Sequence, residues 1–172
     1  MNEILKAIRE RRSCRSYRPE QLTEAELQQI LEAGTWAASG MGAQSARMVV
    51  VQDPETRAAL QRMNASIMGV DSDPFYGAPT VVVVLADPER STCVEDGSLV
   101  IGNLMLAASS LGIGSCWIHR ARQEFDSPEG KALLKRWSVP ERYIGVGHCV
   151  LGYPAEAPAA PKPRKADYVR RV

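Results

Sequence analysis

The chain runs for 22 positions without a charged residue through GSLVIGNLMLAASSLGIGSCWI, residues 97–118. This is long enough for a membrane-spanning helix, but nine of the positions are Gly, Ser or Asn, and a Gly-Ile-Gly step at 112–114 interrupts the run. The pattern therefore predicts a buried helix over about 94–111 and a strand over about 113–118. Because a helix that is apolar on all sides must be buried on all sides, we expect a second subunit to cover it.

Further helices and strands alternate on both sides of this segment. A capping box at Thr23 and Glu26, and proline after Asp53 and after Ser127, indicate where helices begin. Helices are predicted over residues 2–11, 23–38 and 54–66 and from 127 onward, and strands over 48–51, 80–85 and 143–151. The alternation predicts helices around a central sheet, in the α/β or the α+β class, and does not decide the strand order.

The composition predicts one globular domain. The chain has 172 residues, of which 45% are hydrophobic and 24% charged, and these values exclude disorder, collagen and coiled coil. We expect residues 1–153 to form the domain and the proline-rich residues 154–172 to form an arm that belongs to it. Residues 1–17 show no signal-peptide pattern, and a cytoplasmic protein is therefore expected.

The sequence lacks several familiar reactive motifs. The patterns GxSxG, GxxxxGK[ST], GxGxxG and HExxH are absent, and there are only two histidines. The cysteines are too widely spaced for a zinc site, which predicts reduced thiols and no metal; they are Cys14, Cys93, Cys116 and Cys149.

Charge is distributed very unevenly along the chain. Residues 1–18 and residues 162–172 each carry a net +4, while the residues between them carry −7. If the two cationic ends meet in the fold, they need an anion between them, and arginine is well suited to phosphate. The alternatives are two solvated tails or a nucleic-acid arm, although the acidic middle would repel a nucleic acid.

Several motifs resemble those of the FMN-dependent nitroreductase family, in order from residue 4 to about 168. They are Arg11-Arg12-Ser13-Cys14-Arg15, Ala38-Ser39-Gly40 with Gln44, Glu95-Asp96-Gly97-Ser98, Leu111-Gly112-Ile113-Gly114 and Lys162-Pro163-Arg164-Lys165. The resemblance implies an α+β fold with a central mixed or antiparallel sheet in an intertwined homodimer, with FMN at the subunit interface. It also implies that NADH or NADPH reduces the flavin and that a small electron-poor acceptor, such as a nitroaromatic, quinone or enone, reoxidises it.

The resemblance also implies which residues contact FMN. The phosphate would be held by Arg11, Ser13, Lys162 and Arg164, and Arg12 would also contact the cofactor. Arg15 would lie near flavin N1 and the C2 carbonyl. Ser39 and Gln44 would contact the cofactor from the partner subunit, and a backbone N–H of the segment formed by Trp117, Ile118, His119 and Arg120 would face flavin N5.

No catalytic side chain is expected, because the flavin carries the chemistry. His119 is a candidate proton donor, and Phe75 and Tyr76 are candidate pocket residues as well as candidate packing residues. Ser45-Ala46 stands where the family often has Pro-Trp. A flavin storage or sensing module with little turnover is the alternative function.

Overall fold

Residues 2–172 are described by a computed structural model of the chain. The helices are α1 Glu3–Glu10, α2 Glu24–Thr35, α3 Pro54–Met68, α4 Cys93–Ser110, α5 Ala121–Asp126 and α6 Pro128–Arg136. The strands are β1 Ala46–Val51, β2 Thr80–Ala86, β3 Gly114–Ile118 and β4 Ile144–Gly152.

The four strands form one sheet in the order β1-β2-β4-β3. Every neighbouring pair is antiparallel, and His148 of β4 lies opposite both Val83 of β2 and Ile118 of β3. The predicted α+β class with a central sheet is confirmed, and the sheet is antiparallel rather than mixed.

Helices cover both faces of this sheet. On one face, α3, α5 and α6 bury residues such as Leu60, Phe125 and Leu134. On the other face, α2 and α4 bury residues such as Ile30 and Leu104. Strand β2 is buried along its whole length, which agrees with its continuous apolar sequence.

The capping residues begin the helices where the sequence predicts. Thr23 and Glu26 form both bonds of the capping box, and the side chains of Asp53 and Ser127 accept backbone N–H bonds at the starts of α3 and α6. The helix over 121–126 was not predicted, because its six residues are too few to show a periodic stripe. Helix α2 ends at Thr35, before the predicted Ala38, and β1 begins two residues early at Ala46.

One apolar face remains uncovered in the single chain. Helix α1 has no buried residue, and Ile4, Leu5 and Ile8 are each more than half exposed. Trp36, at the end of α2, is 79% exposed, and it lines a shallow groove between α1, α2 and α4. Helix α4 is therefore not enclosed by its own chain. Among residues 2–172, no helix is long and apolar enough to cross a membrane.

Candidate functional site

The two cationic ends of the chain meet at one cavity of about 500 Å³. It lies between the end of α1 and the C-terminal arm, and its lining residues are Ile8, Arg9, Arg11, Arg12, Pro161, Lys162, Pro163 and Arg164. None of these lining residues is acidic. The two cationic ends therefore meet in the fold, as one of the alternatives drawn from the charge distribution requires, and they do so within a single chain.

Two arginines in this cavity have hydrogen-bond donors with no acceptor among residues 2–172. The atoms are Arg11 Nη1 and Arg12 Nε, and both are buried. Arg12 Nη1 is held in place by the carbonyl oxygens of Arg9 and Arg11, at 2.7 and 2.6 Å. Buried donors are normally paired, and a dianion would satisfy both atoms and neutralise the clustered charge. The residues present therefore fit a phosphate group.

The segment after α1 is fastened along the outer edge of β3. Ser13 pairs with Ser115, and the Cys14 N–H donates to the Ser115 carbonyl at 2.8 Å. Gly114 provides the space for this contact, because a Cβ there would lie 2.8 Å from Cys14 Sγ. This pairing places Ser13 and the residues that follow it beside β3, next to the cationic cavity.

Arg15 contacts Tyr76, which lies in the turn before β2. The guanidinium carbon is 5.9 Å from the centre of the Tyr76 ring. A hydrogen bond that Arg15 donates to the Tyr76 hydroxyl, together with the nearby Cys116, raises the pKa of Arg15 above its usual value. Tyr76 has a φ of 56°, which is unusual for a bulky residue and typical of functional sites.

Asp73 forces the turn into this shape. Its carboxylate accepts bonds from the N–H groups of Phe75 and Gly77 at 2.8 and 2.9 Å and from Arg57 at 2.6 Å. The same turn directs Phe75 inward, where it is completely buried with its ring 5.4 Å from that of His148. The prediction that Phe75 lines a pocket is wrong, and its alternative role as a packing residue is the observed one. Tyr76 is partly exposed.

The thiol of Cys116 joins these groups at the middle of β3. Burial raises the pKa of Cys116, against the opposing effects of Arg15, of a hydrogen bond from Ser13 and of Arg11. Arg11 and Arg15 of the N-terminal segment therefore both lie within electrostatic reach of the Cys116 thiol on β3.

Ser39 and Gln44 line a different, smaller cavity of about 150 Å³ beside α2 and α4. This cavity and the cationic cavity have no lining residue in common. Asp96 of α4 holds their loop, because its carboxylate accepts bonds from the Gly40 N–H at 2.9 Å and from Ser45 Oγ at 2.6 Å. Ser45 and Ala46 stand where the family often has Pro-Trp. Ser45 therefore has a hydrogen-bond partner, Asp96, that a proline could not use in this way.

Asp96 should make this loop sensitive to acid. Burial alone would raise the pKa of Asp96, but the bonds from Ser45, Gly40 and Thr92 outweigh burial and lower it. A carboxylate with a lowered pKa stabilises the fold above its unfolded pKa of about 3.9, and this stabilisation is lost as the pH falls through the folded value.

We therefore expect Asp96→Asn to cost about 1–2 kcal/mol of unfolding free energy at pH 7 and progressively less below about pH 3.9. Urea unfolding at a series of pH values measures this difference. Asp126→Asn, at an exposed surface position, is the control. A cost for Asp96→Asn that stays constant down to pH 3 would contradict the expected linkage.

Trp117 and Ile118 form the end of β3, and His119 follows with an exposed side chain. The His119 carbonyl points inward and accepts a bond from Asn64 Nδ2 at 2.8 Å. Asn64 belongs to a buried polar group with Glu124 and His148. The sequence analysis missed this group, although a histidine within the apolar β4 sequence was an available signal.

Fold and site together define an α+β protein in which both chain ends line a cationic cavity beside an antiparallel sheet. The sequence model of the nitroreductase family matches residues 8–153. The chain belongs to the nitroreductase family, and the predicted oxidoreductase class is confirmed.

Individual relatives agree with this assignment. A protein of Archaeoglobus fulgidus, named for a proposed NADH dehydrogenase or NAD(P)H nitroreductase activity, is 34% identical over 91% of this chain and 88% of its own. A nitroreductase of Bacteroides fragilis solved with bound FMN is 34% identical and superimposes with a TM-score of 0.91 over the whole of both chains. A nitroreductase of Desulfitobacterium hafniense with bound FMN is 30% identical, with a TM-score of 0.89 over 100% of this chain and 99% of that one.

Proposed function

We propose that the protein is a homodimeric FMN-dependent oxidoreductase that takes hydride from NADH or NADPH and reduces a small electron-poor acceptor. Nitroaromatics, quinones and enones are the acceptor classes, and donor and acceptor use the same pocket in turn, which predicts ping-pong kinetics. The observation that carries the proposal is the cationic cavity with its two unpaired arginine donors. FMN bound in two similar proteins supports the choice of cofactor.

The cofactor phosphate would be held from both ends of the chain. Arg11 and Arg12 offer planar forks that match phosphate oxygens, and Lys162 adds a point charge. Ser13 lies at the edge of β3 next to the same cavity, and Arg164 belongs to its lining. When bound, FMN accepts two electrons as hydride and passes them to the acceptor.

Two further parts of the chain would contact the flavin ring. Strand β3 begins beside the Ser13 segment and runs about 13 Å to Ile118, so it can support both the phosphate end and the ring end of one cofactor. Trp117, Ile118 and His119 would lie along the ring, and the exposed His119 side chain is the candidate proton donor. Tyr76 would border the acceptor pocket next to Arg15.

A homodimer would complete the site. Ser39 and Gln44 lie away from the cationic cavity of their own chain, so they would serve the cofactor of the other chain. The exposed apolar face of α1, with Trp36 beside it, supports this arrangement, because an eight-residue helix is stable only when it is packed.

The absorption spectrum of the purified protein between about 350 and 500 nm tests the cofactor. A flavin spectrum that NADH or NADPH bleaches, and that a nitroaromatic or quinone restores, supports the enzyme. A flavin spectrum that bleaches only with dithionite indicates the storage or sensing module instead. A colourless protein that does not take up added FMN would contradict both functions.

Arg15 should set the flavin potential more than it sets flavin affinity. Its guanidinium would lie beside N1 and the C2 carbonyl, where negative charge develops on reduction, and a fixed cation stabilises that charge. We expect Arg15→Ala to lower the two-electron midpoint potential by about 30–60 mV, which corresponds to about 1.4–2.8 kcal/mol. A spectroelectrochemical titration measures the shift.

Arg18→Ala is the matched control, because Arg18 is an exposed cation three residues away. Tyr76→Phe, which removes the hydroxyl that accepts the hydrogen bond from Arg15 and keeps the ring, is expected to lower the potential by a smaller amount. An unaltered potential in Arg15→Ala would remove this role from Arg15.

A further inference from the structure

A group of three polar side chains lies completely inside the protein between α3, α5 and β4. Asn64, Glu124 and His148 are each 0% exposed. Glu124 is the centre of the group: one carboxylate oxygen accepts a bond from Asn64 Nδ2, and the other is 2.9 Å from His148 Nε2. The rings of Phe75 and Phe125 pack around His148, so the group has an apolar surrounding.

Such a group is a poor way to stabilise a fold. Removing an acid and an imidazole from water costs several kcal/mol per charged group, and apolar residues of similar volume often stabilise equally well or better. Asn64 Oδ1 and His148 Nδ1 also find no partner among residues 2–172, which adds to the cost. A role in orienting a neighbouring group explains why polar side chains occupy these positions.

The neighbouring group is the peptide that joins His119 to Arg120. Asn64 Nδ2 donates to the His119 carbonyl at 2.8 Å. In a trans peptide the C=O and the following N–H point in opposite directions, so the Arg120 N–H must point away from Asn64 and the interior. Among residues 2–172, no hydrogen bond from the Arg120 N–H is found.

The backbone around this peptide is closely packed. Arg120 has a φ of 80°, an uncommon value for a residue other than glycine. Helix α5, which begins directly after it, packs against two glycines. A Cβ at Gly145 would lie 2.1 Å from the Ala121 carbonyl oxygen, and a Cβ at Gly130 would lie 2.0 Å from that of Glu124. Glu124 is therefore firmly placed and can hold Asn64.

We propose that Asn64, held by Glu124 and His148, is a positioning residue that fixes the His119–Arg120 peptide so that its outward N–H donates a hydrogen bond to the flavin ring. This inference rests on the proposed function, because it requires a flavin along the end of β3. It gives the buried group of Asn64, Glu124 and His148 a role in flavin binding, although none of these three side chains would touch the flavin.

The test substitutes Asn64 with leucine, which keeps the volume and removes the donor to the His119 carbonyl. A free peptide no longer offers its N–H in a fixed direction, and we expect FMN to bind about 2- to 10-fold more weakly. A donor at N5 favours the oxidised ring, because N5 itself gains a hydrogen on reduction. We therefore expect the midpoint potential of Asn64→Leu to rise, opposite in sign to the shift in Arg15→Ala.

Thr56→Val is the matched control, because Thr56 is also a buried polar residue of α3 and its hydroxyl bonds only to Asp53. Both variants should lose stability in urea unfolding, but only Asn64→Leu should change the flavin potential and affinity. If Asn64→Leu and Thr56→Val lose stability equally and Asn64→Leu leaves the flavin potential and affinity unchanged, the inference is overturned and the proposed function stays intact.

A measurement on the unsubstituted protein keeps the inference testable if Asn64→Leu does not fold. The Arg120 amide should exchange with solvent faster in the protein without FMN than after FMN is added, as followed by NMR. An Arg120 amide that FMN leaves unaffected would overturn the inference. A protein that binds no FMN at all would overturn the proposed function and this inference together, and the flavin spectrum distinguishes that outcome from the others.

Discussion

Arg11→Ala is expected to weaken FMN binding about 10- to 150-fold, which is the loss of one charge-assisted hydrogen bond of about 1.5–3 kcal/mol. The Arg11 Nη1 donor is buried and unpaired. Its desolvation cost is therefore already part of the protein without FMN and does not oppose binding. Titration of the FMN-free protein with FMN measures the effect. The FMN affinity of Arg11→Lys should lie between those of the unsubstituted protein and Arg11→Ala, because lysine keeps the charge and lacks the planar guanidinium fork.

The same substitution should not destabilise the protein without FMN. Removing one of several like charges around the cavity relieves repulsion, so the melting temperature of the FMN-free variant should be equal or higher. Arg122→Ala, which removes a cation from an exposed ion pair on α5, is the control and should bind FMN normally. Unchanged FMN affinity in Arg11→Ala would refute the phosphate site.

Arg164→Ala tests the other end of the chain in the same assay. Its side chain is exposed on the C-terminal arm, and exposed charges are well screened. We therefore expect weaker FMN retention than in the unsubstituted protein but a smaller loss than in Arg11→Ala. Unchanged flavin content after gel filtration would count against a role for the arm.

Ile4→Asp is expected to separate the proposed dimer into monomers and to release FMN at the same time. Ile4 lies on the exposed apolar side of α1 and lines the groove beside Trp36, outside the cationic cavity, and an unpaired carboxylate buried in an interface costs several kcal/mol. A cost of about 3 kcal/mol weakens association by about 150-fold. Light scattering gives the oligomeric state, and the flavin spectrum gives the FMN content.

Ile67→Asp is the matched control, because Ile67 is also an exposed isoleucine but belongs to α3, on the other face of the sheet. That variant should remain a dimer with bound FMN. If Ile4→Asp also remains a dimer, the apolar face of α1 is not the interface. If it becomes a monomer that still binds FMN tightly, Ser39 and Gln44 of the partner subunit do not contribute to the site.

Local chemistry made most of the elements predictable. The capping residues of α2, α3 and α6 act within one turn of helix, and all three helices begin where these residues predict. The continuous apolar run of β2 likewise indicated a strand buried on both faces. Helix α5 was not predicted because its six residues are too few to show a periodic stripe, and its position is fixed by packing against Gly130 of α6 and Gly145 of β4.

The site was predictable where it depends on charge and on family motifs. The two cationic ends were visible as blocks of arginine and lysine, and the chain brings them to one cavity. Phe75 could not be assigned from the sequence, because its inward direction follows from the bonds that Asp73 makes in the turn.

The amino-acid sequence by itself determined the order of helices and strands, the cationic character of both ends and the family to which the chain belongs. These properties depend on neighbouring residues or on residue types in order. Only the tertiary structure decided that Arg15 meets Tyr76, that Asp96 fastens a distant loop, and that Asn64 bonds to the His119 carbonyl at the end of β3. Each of these contacts joins residues far apart in the chain, and folding has to bring their atoms within hydrogen-bond distance before any of them can act.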